Sequence, residues 1–224
     1  MVDAQTMERV AMIPLCPAGH GMGMAPDNST VYVTCWGTDE LAIVPLGDEP
    51  SEDVEIVRVP VAADASGDPV APSYGPYAAT VSPDGNEVWV SNLEGRSLSV
   101  FDVESGTFDA ERFTSLSGAP LFASFSDDGE RLYVPVQNPD TLVTIEVATG
   151  RTLSVLDFTS EECTAPHGTL LLAGGDKLGL VCEGDHIGLG SVVRIDLSGD
   201  QPAVEESFEV GVYPDDLVFI PEAS

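Results

Sequence analysis

Ser82-Pro83-Asp84-Gly85-Asn86-Glu87-Val88-Trp89-Val90-Ser91-Asn92 is the stretch that decides the fold, because the chain repeats it. Ala25-Pro26-Asp27-Asn28-Ser29-Thr30-Val31-Tyr32-Val33-Thr34-Cys35 falls in register with it, and so does Ser126-Asp127-Asp128-Gly129-Glu130-Arg131-Leu132-Tyr133-Val134-Pro135-Val136. A more worn copy runs from Ala173 to Cys182, and a fifth opens at Pro214 and stops at Pro221-Glu222. In this register Gly19, Pro76, Pro120, Pro166 and Pro214 are equivalent, at intervals of 57, 44, 46 and 48 residues. Self-similarity at such a period marks an array of like supersecondary units.

Each unit reads as four short strands. A strand of small residues such as Tyr77–Ser82 leads into an Asp-Gly turn, where Gly or Asn tolerates the positive φ of a tight hairpin. An alternating strand follows (Val88–Ser91), then a third (Ser97–Asp102), a turn at Glu104-Ser105-Gly106, and a weakly marked outer strand such as Thr152–Asp157. No segment sustains a helical period, which excludes a helical solenoid, and a sandwich would not repeat its phrase. The expected fold is all-β: a β-propeller of four-stranded antiparallel blades, four to five of them in this chain. One domain, 1–224, is expected, with blades near 19–60, 76–114, 120–158 and 166–210 and partial strands at 9–15 and 214–220. Such a chain opens on an outer strand and ends inside an inner one. It therefore reads as the C-terminal part of a larger propeller, as half of a self-associated pair, or as four blades closing irregularly, and an open array would expose strand edges to another chain.

The residues Pro76, Ser82-Pro83-Asp84-Gly85, Trp89-Val90-Ser91-Asn92 and Ser99-Val100-Phe101-Asp102-Val103-Glu104-Ser105-Gly106 resemble the YVTN-type β-propeller repeat. The resemblance is good over residues 19–157 and partial in the fourth unit. It implies a surface or periplasmic setting and a ring of about seven blades. For function it implies little, since the family spans binding proteins, lactonase-like enzymes and quinone- or haem-dependent oxidoreductases.

Charge narrows the partners. With 38 acidic against 8 basic residues the formal net charge is -30, which repels nucleic-acid phosphates and anionic membrane surfaces. No apolar run reaches the roughly 20 residues of a membrane-spanning helix. The N-terminus, Met1-Val2-Asp3-Ala4-Gln5, lacks the basic and apolar regions of a signal peptide. The acidity reads first as a solubilising surface, with weak calcium binding in Asp64-Ala65-Ser66-Gly67-Asp68 as a further possibility.

All four cysteines lie in two copies of one phrase: Cys16-Pro17-Ala18-Gly19-His20-Gly21 running to Cys35, and Cys163-Thr164-Ala165-Pro166-His167-Gly168 running to Cys182. In an antiparallel meander the entry of the innermost strand lies beside the exit of the second. Cys16–Cys35 and Cys163–Cys182 are thus expected disulfides, implying an extracytoplasmic location: periplasmic, cell-surface or secreted. Zinc binding by Cys and His is the alternative, although the spacing matches no standard finger. The haem signature Cys-x-x-Cys-His is absent.

His20 and His167 occupy the repeat position of Tyr77, Leu121 and Asp215, at the entry of the innermost strand and so near the mouth of a propeller channel. His20, Tyr77, His167 and Asp215, with Trp36 on the rim, are candidates to line a site for a metal or a small polar ligand. The plain alternative is that each histidine satisfies backbone groups and that Trp36 packs between blades. The loop Cys182-Glu183-Gly184-Asp185-His186-Ile187-Gly188-Leu189-Gly190 supplies a second candidate, Glu183, Asp185 and His186 around a divalent metal ion or as a general base. No nucleophile elbow, phosphate-binding loop or metalloprotease motif occurs. The leading expectation is a binding scaffold for a protein or small-molecule ligand at the propeller face. The alternative is a metal- or cofactor-dependent redox or lactonase-like enzyme.

Overall fold

The computed structural model describes residues 1–47, 51–68, 70–199 and 201–218. The chain is an all-β propeller built from consecutive antiparallel meanders. The first sheet runs β1 (Gly19–Met24), β2 (Thr30–Cys35), β3 (Glu40–Pro45) and β4 (Val57–Pro60) in that order. The second is β5 (Pro76–Val81), β6 (Glu87–Asn92), β7 (Ser97–Asp102) and β8 (Thr107–Ser115). In the third, the innermost position is split into β9 (Ala119–Pro120) and β10 (Ser124–Phe125), which both pair with β11 (Arg131–Gln137), followed by β12 (Thr141–Glu146) and β13 (Arg151–Asp157). The fourth is β14 (Pro166–Leu171), β15 (Lys177–Cys182), β16 (Leu189–Asp196) and β17 (Ala203–Val212).

Contacts group these sheets into two compact units. One comprises Met1–Gly95 with Ser99–Ala110; the other runs from Glu111 onward and includes Arg96–Leu98. The burial pattern follows from the repeat. The second strands and the third strands of the second and third sheets are largely buried, and fourth strands mostly exposed. Runs such as Val88-Trp89-Val90 are apolar on both faces, as strands covered on both sides must be. In the first unit Tyr32, Leu41, Val88, Val90 and Phe101 share one core. In the second, Tyr133, Leu142, Leu178, Leu180, Val193 and Ile195 share another.

Two features of the strand entries position the site. The first is a bulge: register shifts fall between Pro76 and Ala78 and between Pro166 and Gly168, so Tyr77 and His167 are extra residues opposite their partner strands. Bulges re-aim a side chain out of the regular alternation. The second is a left-handed residue just before Gly19, Pro76, Pro166 and Pro214, though not before Pro120: Ala18 (φ 51), Gly75 (φ 55), Ala165 (φ 54) and Tyr213 (φ 53). For the three that carry a Cβ this costs about 1–2 kcal/mol each, so the turn is imposed by the repeat and not by local preference.

Two expected strands are not formed among the described residues. Arg9 makes only an isolated bridge to Val2, and residues 10–16 have no strand pairing. Residues 214–218 are likewise without strand pairing, while positions 219 and 220 lie outside the described residues. A strand needs a partner along its edge, and Pro14, Pro17 and Pro214 each lack the N–H that pairing would use.

The structure joins Cys16 to Cys35 and Cys163 to Cys182, with Cα separations of 5.8 and 5.5 Å. Each bond closes a loop of 19 residues, which by chain entropy removes about 3 kcal/mol of unfolded-state freedom. Asp64 and Asp68 serve their own loop: the Tyr74 hydroxyl donates to Asp64, and the Asp68 carboxylate accepts from the Val70 amide.

Candidate functional site

His167 opens β14 and is 97% shielded from solvent, with a relative exposure of 3%. Its Nδ1–H donates to the Asp215 carbonyl at 2.7 Å. His20 does the same at the other end of the chain, donating from Nδ1 to the Tyr77 carbonyl at 3.1 Å. Both bonds run from the entry residue of one repeat copy to the equivalent residue of the next, each within one compact unit, so this half of each imidazole has the backbone role expected of a strand entry. The other half differs. His20 is exposed and stacks on the Tyr77 ring at 3.7 Å. His167 instead turns Nε2 toward two carboxylates, Glu183 Oε1 at 3.5 Å and Asp215 Oδ1 at 3.9 Å.

Glu183 is the centre of the cluster. It is 5% exposed, an unusual state for a carboxylate, and it follows Cys182 at the end of β15. Its backbone N–H donates to the Ala165 carbonyl, and that of Gly184 to Thr164. With the Cys163–Cys182 bond, these contacts clamp the segment bearing Glu183 onto the segment bearing His167. The second carboxylate oxygen accepts from His186 Nε2–H at 3.1 Å and from the Gln137 amide at 3.4 Å. Buried carboxylates persist only when so engaged.

His186 is half exposed and takes a left-handed backbone, φ 65, outside the repeated turn. Strain of this kind persists where surrounding contacts enforce it. Here the Asp185 carboxylate does so, accepting from the amides of Ile187 and Gly188 at 3.0 and 2.7 Å. Those amides also hold the Asp185 carboxyl below its ordinary range. Asp185 therefore shapes the loop and is not one of the grouped ligand atoms, which belong to His167, Glu183 and Asp215 and lie within 4.8 Å of one another.

Tyr213 completes the rim. Its ring meets His186 edge-on, with centroids 4.3 Å apart. The Glu183 charge, then partial burial and the Asp215 charge, push its phenol above the ordinary value, so it remains a hydroxyl at neutral pH. Phe122 covers the far side of His167 at 5.2 Å.

The structure thus merges two separate sequence candidates, His167 with Asp215 and Glu183 with His186, into one cluster. His20, Tyr77 and Trp36 belong to the other compact unit, where Trp36 lies against Gly75. Tyr213, Gln137 and Phe122 escaped the sequence reading. Only Tyr213 carried a signal, as a bulky residue at the repeat position of Ala18, Gly75 and Ala165.

Gly190 sets where Tyr213 and Asp215 fall. A Cβ there would lie 2.4 Å from Pro214 Cδ and 2.5 Å from the Cys182 carbonyl. Gly190→Ala is expected to cost about 1–3 kcal/mol, the usual range for overpacking, seen as a lower urea midpoint. An unchanged midpoint would show that the Pro214 segment yields freely.

No family model matches the sequence, and no curated protein does. Solved structures do match in fold. The chain is similar to hydrazine synthase of Kuenenia stuttgartiensis (TM-score 0.70, 19% identity, 89% of this chain and 51% of that one). It is similar to a putative 6-phosphogluconolactonase from Bacteroides uniformis (TM-score 0.69, 14% identity, 88% and 56%). It is also similar to a periplasmic gluconolactonase of Pseudomonas aeruginosa (TM-score 0.68, 22% identity, 91% and 57%). The chain spans about half the length of these proteins. The expectation of a non-catalytic scaffold is corrected at this point. The matching propellers include a periplasmic gluconolactonase and a putative 6-phosphogluconolactonase, and the chain carries a buried histidine–carboxylate cluster that a scaffold does not require.

Proposed function

We propose that this chain carries the site of an extracytoplasmic propeller hydrolase that opens lactones. The observation carrying this reading is Glu183, a buried carboxylate that accepts from a half-exposed histidine and faces a buried one. A buried carboxylate that accepts a proton-bearing nitrogen fixes the imidazole's tautomer and leaves its other nitrogen basic. His186 donates from Nε2, so Nδ1 is the nitrogen that takes the proton from an attacking water. The water oxygen bonds to the lactone carbonyl carbon, the ring C–O bond breaks, and His186 returns the proton to the departing ring oxygen, giving an open hydroxy acid. The Tyr213 hydroxyl, protonated at neutral pH, is a donor placed at the same rim. The two disulfides and the periplasmic setting of one fold neighbour support the location. The repeat phrases support a place among YVTN-type propellers.

Net charge refines the substrate class. A chain at -30 repels anions, so neutral lactones suit it better than phosphorylated ones. The test is a panel of neutral and phosphorylated aldonolactones, following acid release above the uncatalysed rate. Neutral lactones are expected to turn over, and His186→Gln is expected to reduce kcat by about 10²–10⁴-fold, the usual worth of a general base. His186 is half exposed, so the variant should fold. No turnover above background, or full activity without His186, would overturn the reading.

A further inference from the structure

We infer that His167, Glu183 and Asp215 form a site for one divalent transition-metal ion. The spacing is the first argument. His167 Nε2 stands 3.5 Å from Glu183 Oε1 and 3.9 Å from Asp215 Oδ1, beyond the reach of a sound hydrogen bond. Ligands about 2.1 Å from a shared tetrahedral cation lie about 3.4 Å from one another, so these gaps suit atoms that meet through an ion.

The surroundings are those of a built metal centre. Metal-bound histidines give their second nitrogen's proton to a carbonyl or carboxylate, and metal-bound carboxylates are themselves hydrogen-bonded. His167 does the first through the Asp215 carbonyl at 2.7 Å, and Glu183 the second through His186 and Gln137. Asp215 thereby orients the imidazole with its backbone and faces the same imidazole with its side chain. Two carboxylates brought this close inside a strongly acidic chain also favour a cation between them. One imidazole nitrogen with two carboxylate oxygens suits zinc-like ions better than calcium, which prefers oxygen alone. Three protein ligands leave a fourth position for water or for a carbonyl oxygen. Binding of the ion stands on this geometry; its use in polarising a lactone carbonyl rests on the proposed hydrolysis.

The experiment titrates chelator-treated protein with Co²⁺ at about 0.15 M salt, which screens diffuse binding to the acidic surface. One equivalent per chain is expected, with a visible d–d band that Zn²⁺ abolishes and Ca²⁺ leaves. Asp215→Asn alters an exposed side chain, so the variant should fold, and it is expected to weaken Co²⁺ at least about 10–100-fold. His167→Gln should remove the band. Uptake that fails to saturate at one equivalent, or a band unchanged in Asp215→Asn, would overturn the site. Binding as described without lactone turnover would leave the metal site standing and remove the lactonase reading alone.

Discussion

Glu183→Gln is expected to lower kcat for lactone opening by about 10³–10⁴-fold, the effect of replacing the orienting carboxylate in a carboxylate–histidine pair by an amide. The change keeps the shape of a 5% exposed side chain, so loss of activity would not reflect a cavity. What it removes is the negative charge that both histidines face, and one of the two acceptor oxygens. An amide has a single oxygen, so either His186 or the His167 side must face an NH₂ group. If the oxygen stays with His186, Nδ1 of that ring remains the base but loses the negative charge that stabilises it once protonated. If the amide rotates, His186 must adopt the other tautomer and the base is aimed wrongly. KM should change less than kcat, because the charge matters most when the imidazolium forms. Rates within threefold of wild type, with the melting temperature unchanged, would take Glu183 out of the mechanism.

The cluster was half legible in the sequence. The doubled phrase around His20 and His167 located a strand-entry position, and the loop after Cys182 was rich enough in Glu, Asp and His to stand out. Their convergence was not legible, because it depends on the bulge at His167 and on the clamp between residues 163–165 and 182–184. Spacing along the chain also ranked Asp185 equal to its neighbours. Only the fold reveals that its carboxylate turns back onto two backbone amides while Glu183 turns inward. His20 is the converse: the same phrase, the same Nδ1 bond to a carbonyl, and Tyr77 beside it where His167 has a carboxylate-bearing partner. The repeat therefore supplies the imidazole and its tautomer, and Glu183 and Asp215, which the first copy lacks, face the second imidazole with carboxylates.

The strands themselves were legible wherever a repeat copy was intact, since Asp-Gly turns and alternating Val and aromatic residues state the hairpins directly. Segments 10–16 and 214–218 mislead because an apolar stretch is only a strand when another strand lies beside it.

Asp39→Ala is expected to destabilise the first unit by about 3–5 kcal/mol, the cost of removing one side of a buried, charged hydrogen-bond network. Asp39 ends the Trp36-Gly37-Thr38-Asp39 loop, is fully buried, and has a left-handed backbone at φ 54. Its carboxylate accepts from the amides of Ser73, Tyr74 and Gly75 at 2.7, 3.0 and 2.8 Å and from the Ser66 hydroxyl at 3.0 Å. Truncation would strand four donors at the connection between the first and second sheets. Burial opposes the charge on Asp39, but the Gly75, Ser73 and Tyr74 amides and the Ser66 hydroxyl together outweigh it and hold the carboxyl below its ordinary value. A folded-state pKa below the unfolded one gives stability that is complete above the unfolded value of about 3.9 and lost as pH falls through the folded value. Wild type should therefore lose stability on acidification below about pH 4 more steeply than Asp39→Asn, which has no such carboxyl to protonate. Urea unfolding at pH 7 and pH 3 measures both effects. A variant as stable as wild type at pH 7, or one with the same acid slope, would show that water replaces the carboxylate at little cost.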